Sequence, residues 1–173
     1  AQSIMSNTKE SYKVQVTKDY LVFSAAHFIT YNNDVCERLH GHNYRVTAEV
    51  CGPLDENHYV IDFIALRDAL HRIVLELDHR MLLPTGHERI HVDPGESEVL
   101  VTFADRRWIF PRDDCLLLPV ANTTSELLAK YIGQKLLQEM KDAGISRPSS
   151  LRIHLDENHG QWAVCDLQVA DSA

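Results

Sequence analysis

Several features that would place a chain in a broad class are absent from these 173 residues. No apolar run is long enough to span a bilayer, and the polar segment Ala1 to Glu10 lacks the apolar core of a signal peptide. The four cysteines form no Cys-x-x-Cys pair, which disfavours a disulfide framework and favours a reducing compartment. We therefore expect a cytoplasmic protein with no membrane partner, whose residues 1–11 form a flexible tail.

Basic residues are also few, and they are scattered. Lysine and arginine number 17 against 25 aspartates and glutamates, the formal net charge is -8, and no Lys/Arg block occurs. Nucleic-acid binding requires a basic surface, so no nucleic-acid partner is expected. The chain also lacks a glycine-rich dinucleotide fingerprint. A small anionic substrate remains compatible with this composition, because a metal and a few local cations can bind it.

Three histidines are arranged so that they can hold one metal ion. His40 and His42 flank Gly41, and the stretch that continues to Val50 alternates apolar and polar residues, as a half-buried strand does. Both histidines share the parity of the apolar side chains, and His27 ends the preceding apolar run. Three neutral imidazoles suit Zn²⁺ and leave its fourth position open, as in catalytic zinc sites. The alternative is a set of ordinary core histidines.

Two amphipathic segments predict helices. The first begins after the capping residue Asp62 and ends near Asp78. The second begins at Thr123 or Thr124, because Thr123-x-x-Glu126 matches the capping-box pattern. The apolar stripe predicted for the first helix comprises Phe63, Leu66, Leu70, Ile73, Val74 and Leu77.

Strands precede and follow these helices. Residues 12–28 predict one long strand with a bulge near Lys18-Asp19, because the apolar residues change parity there. The other predicted strands are residues 43–51, 151–157 and 161–169. Residues 12–173 should thus form one α+β domain, an antiparallel four-stranded sheet with both helices on one face. Between the helices, an insertion at 85–121 predicts a β-hairpin and a further strand around Trp108.

Two further groups of residues could carry chemistry. Cys36 lies four residues before His40, where nearby cations would favour its thiolate as a base or nucleophile; a loop cysteine without a role is the alternative. Asp78-His79 is an adjacent acid and imidazole at a helix end. The two side chains could act together, or His79 could merely complement the helix dipole.

Glu157 closes the inward-facing row of a C-terminal strand, so its carboxylate is expected to be partly buried. A buried carboxylate needs a partner, and the paired N–H donors of an aminopyrimidinone ring would provide one. Glu126, taken by itself, is better explained as the capping-box residue.

Together these residues resemble the 6-pyruvoyltetrahydropterin synthase and 6-carboxytetrahydropterin synthase family. The resemblance covers residues 12–83 and 122–169. The most specific motif is Phe23-Ser24-Ala25-Ala26-His27 followed by Cys36-x-x-x-His40-Gly41-His42-Asn43-Tyr44. The supporting motifs are Val60-Ile61-Asp62-Phe63, Leu77-Asp78-His79 and Asn122-x-Thr124-Ser125-Glu126. Thr123 and Leu127 stand where the family often has proline and asparagine, and the insertion is longer than usual.

The resemblance implies a tunnelling fold (T-fold) that assembles into trimers or hexamers, with active sites where subunits meet. It implies 7,8-dihydroneopterin triphosphate as the substrate. It implies zinc ligation by His27, His40 and His42, catalysis by Cys36, Asp78 and His79, and pterin binding by Glu157, Thr124, Ser125 and Glu126.

The three-residue spacer between Cys36 and His40 favours the carboxy-forming members, which serve the queuosine (deazapurine) pathway. The pyruvoyl-forming enzymes of the tetrahydrobiopterin pathway, which use the same substrate, are the alternative. A different zinc metalloenzyme and a non-catalytic pterin-binding module are further alternatives.

Overall fold

A computed structural model of the protein describes residues 9–32, 35–145 and 148–170. Residues 1–8 of the expected N-terminal tail lie outside the described residues. Within the described ranges the helices are α1 (Phe63–Leu77) and α2 (Ser125–Asp142). The strands are β1 (Tyr12–Val16), β2 (Val22–His27), β3 (Thr30–Tyr31), β4 (Val35–Cys36), β5 (His40–Gly52), β6 (Arg80–Pro84), β7 (His91–Pro94), β8 (Glu98–Phe103), β9 (Arg106–Pro111), β10 (Cys115–Leu118), β11 (Ser150–Asp156) and β12 (Trp162–Gln168). Neither α1 nor α2 is long and apolar enough to cross a membrane.

The main sheet runs in the order β10-β6-β2-β5-β11-β12, and β1 also pairs with β5. The predicted antiparallel unit is present, since β5 pairs antiparallel with β1, β2 and β11, and β11 with β12. The described sheet is nevertheless larger and mixed, because β6 and β10 extend it in parallel. Four consecutive residues of β6 are buried. A strand covered on both faces shows no alternation, so the sequence pattern did not reveal it.

The long strand predicted for residues 12–28 is divided into β1 and β2, which lie along the same edge of β5. Val16 pairs with Ala48, and Val22 pairs with Arg45. Five residues (17–21) separate Val16 from Val22, whereas two (46–47) separate Arg45 from Ala48, which leaves three extra residues in the bend. An odd number of extra residues reverses the side-chain parity. The predicted change of parity is present, but the interruption is longer than a single-residue bulge.

Helix α1 packs against the sheet with the predicted stripe, apart from its first residue. Asp62 caps it, since the carboxylate accepts hydrogen bonds from the N–H groups of Ile64 at 2.7 Å and Ala65 at 3.3 Å. Phe63 is 56% exposed. The next residue, Ile64, is 59% exposed, so the first turn is not buried and the prediction that Phe63 belongs to the buried stripe is wrong.

Helix α2 begins one residue later than the capping-box pattern indicated. Its N-cap is Thr124, whose hydroxyl accepts a hydrogen bond from the N–H of Leu127. The hydroxyl of Thr123 instead donates to the carbonyl of Phe28 at 3.3 Å. The predicted Thr123 capping box is therefore wrong. Thr123 is fully buried between the helix and β2 because its side chain joins the two elements.

Within the insertion, strands β7, β8 and β9 form a separate three-stranded antiparallel sheet, with β9 around Trp108 as predicted, whereas β10 joins the main sheet. The apolar side chains of the insertion form a second buried cluster together with residues of β6 and β10. Phe28 and Cys36 belong to this cluster. The insertion therefore packs directly against the chain segments that flank the histidine motif.

Candidate metal centre and active site

The rings of His27, His40 and His42 converge where β2 and β5 meet. His27 pairs with His40, and Ala25 pairs with His42, so the three histidines share the face of the sheet that the helices cover. Their ligand nitrogens all lie within 4.8 Å of one another. Gly41 fits between the two histidines of β5 because a Cβ there would lie only 3.1 Å from the carbonyl oxygen of Ala25.

Backbone carbonyl groups orient two of these rings. Nδ1 of His27 lies 2.9 Å from the carbonyl oxygen of Thr123, and Nδ1 of His40 lies 2.8 Å from that of Arg38. A carbonyl only accepts hydrogen bonds, so Nδ1 carries the proton in both rings. Nε2 then presents its lone pair, which is the arrangement that metal-ligating histidines use.

The ring of His42 contains an unsatisfied atom. Its Nε2 is buried and has no hydrogen-bond partner among the residues that the structure describes. Oε1 of Glu157 lies 3.0 Å away but outside hydrogen-bonding geometry. A buried polar atom without a partner is costly, and a cation among the three rings would satisfy it. Three imidazole nitrogens with one open position fit a zinc ion.

Burial keeps His27 in the form that binds a metal. The residue is 2% exposed, and burial lowers the pKa of its imidazole. The hydrogen bond to the Thr123 carbonyl opposes this shift, and the neighbouring His40 and His42 reinforce it. The ring is therefore neutral at physiological pH, as metal ligation requires. The hydroxyl of Tyr44, whose pKa is raised by burial, lies 3.4 Å from both ring nitrogens.

The four residues predicted to bind the pterin ring do not all lie at the histidine cluster. Glu157 lies beside the histidines, and the hydroxyl of Ser125 donates a hydrogen bond to its Oε2. Thr124 caps α2 and lies next to Ser125. Glu126 is exposed on the first turn of the same helix. The structure thus brings Ser125 and Glu157 to the cluster, whereas the side chain of Glu126 faces solvent.

Asp156 is a supporting residue that the sequence pattern did not reveal. It is 6% exposed, and its Oδ1 accepts hydrogen bonds from the backbone N–H groups of Asn158, Gly160 and Gln161 at 2.9 to 3.2 Å. These bonds close the turn between β11 and β12. They fix the backbone that carries Glu157, and an alternation pattern gives no signal for such a local turn.

Asp78 and His79 form a pair at the end of α1. Nδ1 of His79 lies 2.8 Å from Oδ2 of Asp78, while Oδ1 of Asp78 accepts a hydrogen bond from the N–H of Ser24 at 2.8 Å. The positive φ of His79, 58°, turns the two side chains toward each other, which a regular helix would not allow. Partial burial raises the pKa of Asp78, but the hydrogen bonds from Ser24 and His79 outweigh it and hold that pKa below its ordinary value.

This pair is separated from the histidine cluster. His79 lines an open depression together with Ser24, Gly41 and Asn43, whose strand parity is opposite to that of the cluster. His42 also borders the depression. In the described part of the chain, however, no hydrogen bond, ion pair or ring contact joins His79 to the cluster. One chain alone therefore leaves the two groups of predicted residues apart.

Cys36 occupies a more apolar place than its motif indicated. The residue is 9% exposed and packs in the apolar cluster of the insertion. Burial raises the pKa of its thiol, the Arg106 guanidinium lowers it, and the Glu37 carboxylate raises it. In the chain without a metal ion the burial effect is larger than that of Arg106, so the catalytic role expected for Cys36 stays a prediction.

Glu37 is a second residue that the motif analysis missed. Its Oε2 lies 3.8 Å from Nε2 of His40 and accepts a hydrogen bond from the N–H of Ile29 at 3.2 Å. The carboxylate is therefore fixed beside the metal-binding face. The only signal in the sequence is its position three residues before His40.

This arrangement can be compared with known proteins. The family model described as 6-pyruvoyl tetrahydropterin synthase matches residues 15–168. The chain belongs to the 6-pyruvoyl tetrahydropterin synthase family. The resemblance based on the histidine motif is therefore confirmed, and so is the predicted α+β T-fold.

Named relatives and a solved structure agree with this placement. A Methanocaldococcus jannaschii protein, provisionally named a 6-carboxy-5,6,7,8-tetrahydropterin synthase, is 30% identical over 144 residues, which cover 83% of this chain and 88% of that protein. The 6-carboxy-5,6,7,8-tetrahydropterin synthase of Bacillus subtilis is 27% identical over 163 residues, 93% of this chain and 90% of that one. The structure of Plasmodium falciparum 6-pyruvoyl tetrahydropterin synthase is 28% identical, with a TM-score of 0.83, and the match covers 93% of this chain and all of that one.

Proposed function

We propose that this protein is a zinc-dependent lyase that converts 7,8-dihydroneopterin triphosphate to 6-carboxy-5,6,7,8-tetrahydropterin. Triphosphate and a two-carbon aldehyde leave the substrate in this reaction. The observation that carries the proposal is the convergence of His27, His40 and His42 beside Glu157. The names of the relatives favour the carboxy product, and so does the three-residue spacer between Cys36 and His40.

His27, His40 and His42 would hold the zinc ion, which as a Lewis acid would polarise the hydroxyl groups of the substrate side chain. Their own arrangement is already suited to this role. The Nδ1 atoms of His27 and His40 are engaged by carbonyl groups, so these rings need no rotation to expose Nε2. A fixed orientation of the ligands reduces the reorganisation that accompanies binding.

Glu157 would recognise the pterin ring. An ionised carboxylate accepts two parallel hydrogen bonds, and the aminopyrimidinone edge of a pterin offers two N–H groups at that spacing. The hydroxyl of Ser125 already binds Oε2, which restrains the side chain of Glu157 before the ligand arrives. Because Glu157 lies next to the histidines, a ring bound there would place its side chain toward the metal ligands.

Proton transfer would use the remaining residues. Cys36 would accept a carbon-bound proton as a thiolate, and His79, oriented by Asp78, would deliver or accept a proton on the side-chain oxygen. Burial raises the pKa of the Cys36 thiol in the chain alone, and a bound zinc ion would favour the thiolate. Glu37, which lies beside His40, is a second candidate for the base.

In the described residues of one chain, His79 makes no direct contact with the histidine cluster, although His42 and His79 border the same depression, and this favours a site completed by a neighbouring chain. We therefore propose a homo-oligomer, a trimer or hexamer. In it, the Asp78-His79 pair of one subunit faces the three histidines of the next subunit. A cytoplasmic setting is part of the same proposal.

The decisive experiment supplies zinc-loaded protein with 7,8-dihydroneopterin triphosphate and identifies the products by mass spectrometry. Release of triphosphate with the 6-carboxy product supports the proposal. The 6-pyruvoyl product would assign the chain to the alternative activity on the same substrate. Absence of triphosphate release from protein with full zinc content would reject both and favour a pterin-binding module or another zinc metalloenzyme.

A further inference from the structure

The Cys36-Glu37 segment is held from two sides. On one side, the N–H of Glu37 donates to the carbonyl of Ile29 at 2.9 Å, which ties the segment to the residues that follow β2. On the other side, Nη1 of Arg106 donates to the carbonyl oxygen of Cys36 at 2.8 Å. Nη1 and Nη2 of Arg106 also reach the carbonyl oxygen of Glu37 at 3.3 and 3.4 Å. The insertion therefore supplies one half of the support.

Arg106 is itself fixed by an aromatic stack. Its guanidinium carbon lies 4.6 Å from the ring centroid of Trp108, a cation–π distance. Trp108 stacks on Phe28 at 4.6 Å between ring centroids and 22° between ring planes. Phe28 directly follows His27 in the chain. Contacts thus run from Arg106 both to Cys36 and, through the two aromatic rings, to the strand end that carries His27.

The charge of Arg106 is directed at this segment. In the part of the chain that the structure describes, Arg106 forms no ion pair with a carboxylate. The charged groups that face the Cys36 thiol are Arg106 from β9 and Glu37 from the same segment. Burial and Glu37 both disfavour the thiolate, so Arg106 is the residue that opposes them.

We propose that Arg106 is a positioning residue for Cys36: its guanidinium holds the backbone carbonyl groups of Cys36 and Glu37 in one place. This inference rests on the proposed function, in which Cys36 is the base. It gives the insertion a role in catalysis, because the insertion delivers Arg106. A displacement of about 1 Å in a catalytic group can lower a rate about 10²-fold, so loss of this support should affect turnover more than binding.

The test compares Arg106→Met, Arg106→Lys and, as a matched control, Arg107→Met, which changes the exposed neighbour on the same strand. We expect Arg106→Met to lower kcat about 10- to 100-fold while KM and zinc content stay within about two-fold. Alkylation of Cys36 by iodoacetamide, located by mass spectrometry, should shift its pH midpoint upward. Arg106→Lys should restore that midpoint but only part of kcat, because an ammonium group lacks the guanidinium fork. Arg107→Met should match the wild type.

A double variant separates positioning from a general structural effect. In a Cys36→Ala background, Arg106→Met should cause no further loss of kcat, because Arg106 acts through Cys36. The proposal is overturned if Arg106→Met keeps wild-type kcat and alkylation midpoint, or if it lowers the rate equally in the Cys36→Ala background. Should Arg106→Met fail to fold, Arg106→Lys decides by the same measurements. If the wild type has no turnover, the proposed function fails, whereas the alkylation midpoints still support or overturn the role of Arg106.

Discussion

The imidazole of His27 donates from Nδ1 to the carbonyl oxygen of Thr123, 96 residues further along the chain and 2.9 Å away. The bond joins the end of β2 to the residue before the N-cap of α2. The hydroxyl of Thr123 donates to the carbonyl of Phe28, the residue that follows β2. The start of one helix therefore fixes both the tautomer and the direction of a metal-ligand side chain.

This pair of bonds leads to a first prediction. Thr123→Val should remove the buried hydroxyl and leave the Phe28 carbonyl unpaired, while the backbone carbonyl that binds His27 stays. We expect a loss of about 1–2 kcal/mol in the free energy of unfolding, measured with urea, and a nearly unchanged zinc affinity. The exposed Thr17→Val is the control and should change neither quantity. A large fall in zinc affinity for Thr123→Val alone would show that the hydroxyl, and not the carbonyl, orients the ring.

A second prediction concerns the metal. Removing the zinc ion with a chelator should abolish turnover, and adding Zn²⁺ should restore turnover, because the zinc ion is the Lewis acid of the proposed reaction. His42→Ala should lower the zinc affinity at least about 10-fold, measured by competition with a fluorescent zinc indicator. His154→Ala is a matched control, because Nε2 of His154 is also buried without a hydrogen-bond partner among the described residues, but His154 lies on β11 outside the cluster. Equal zinc affinity in both variants would contradict the assignment.

The third prediction concerns pterin recognition. Glu157→Gln keeps the shape of the side chain but loses its charge and one acceptor atom. Charged hydrogen bonds contribute about 1.5–3 kcal/mol, so kcat/KM should fall about 10- to 100-fold, mostly through KM. Glu126→Gln should behave like the wild type, because that carboxylate is exposed. If Glu126→Gln lowered kcat/KM more than Glu157→Gln, the pterin ring would instead bind at the N-terminus of α2.

A fourth prediction follows from the lowered pKa of Asp78. A carboxyl group whose pKa is lower in the folded than in the unfolded chain stabilises the fold above its ordinary pKa of 3.8, and this contribution disappears as the pH falls through the folded-state value. The free energy of unfolding of the wild type should therefore decrease from about pH 4 downward more steeply than that of Asp78→Asn. Unfolding in urea at several pH values between 3 and 6 measures both curves. Parallel curves of unfolding free energy against pH for the wild type and Asp78→Asn would show that folding does not lower the pKa of Asp78.

The fifth prediction tests the shared site. His42→Ala and His79→Ala should each be nearly inactive alone. Mixed under conditions that allow subunit exchange, they should recover about a quarter of the wild-type activity per chain, because each half of a shared site is intact in half of the subunits. No recovery, with exchange verified by mass spectrometry of isotope-labelled chains, would place the whole site within one subunit.

The sequence was sufficient for the cluster, because parity is a property of the chain itself. The pair His40 and His42 shares one face in any regular strand, and His27 needed only the antiparallel pairing that the short connection favours. The inward direction of Glu157 followed from the same parity argument, applied to the strand β11 that precedes it. These residues obey local rules, and tertiary packing only brings the strands together.

The sequence was insufficient where distant segments decide the environment. Cys36 is buried in a cluster that includes Val99, Val101 and Phe103 of the insertion, more than 60 positions away, so its motif carried no sign of that burial. The parallel strands β6 and β10 are too short and too uniformly apolar for periodicity to distinguish a strand from a buried piece of helix. The cap of α2 went to Thr124 because Thr123 is held by Phe28, a long-range contact.

The stack of Arg106, Trp108 and Phe28 also limits how freely this chain can exchange parts with its relatives. Shortening the connection between the helices would remove Trp108, expose the ring of Phe28 and withdraw the guanidinium from the Cys36 carbonyl at the same time. Chimeras with a shorter loop in place of the insertion should therefore need a compensating change at Phe28. Substitutions of Phe28 and Trp108 should be tolerated only when both residues are changed together.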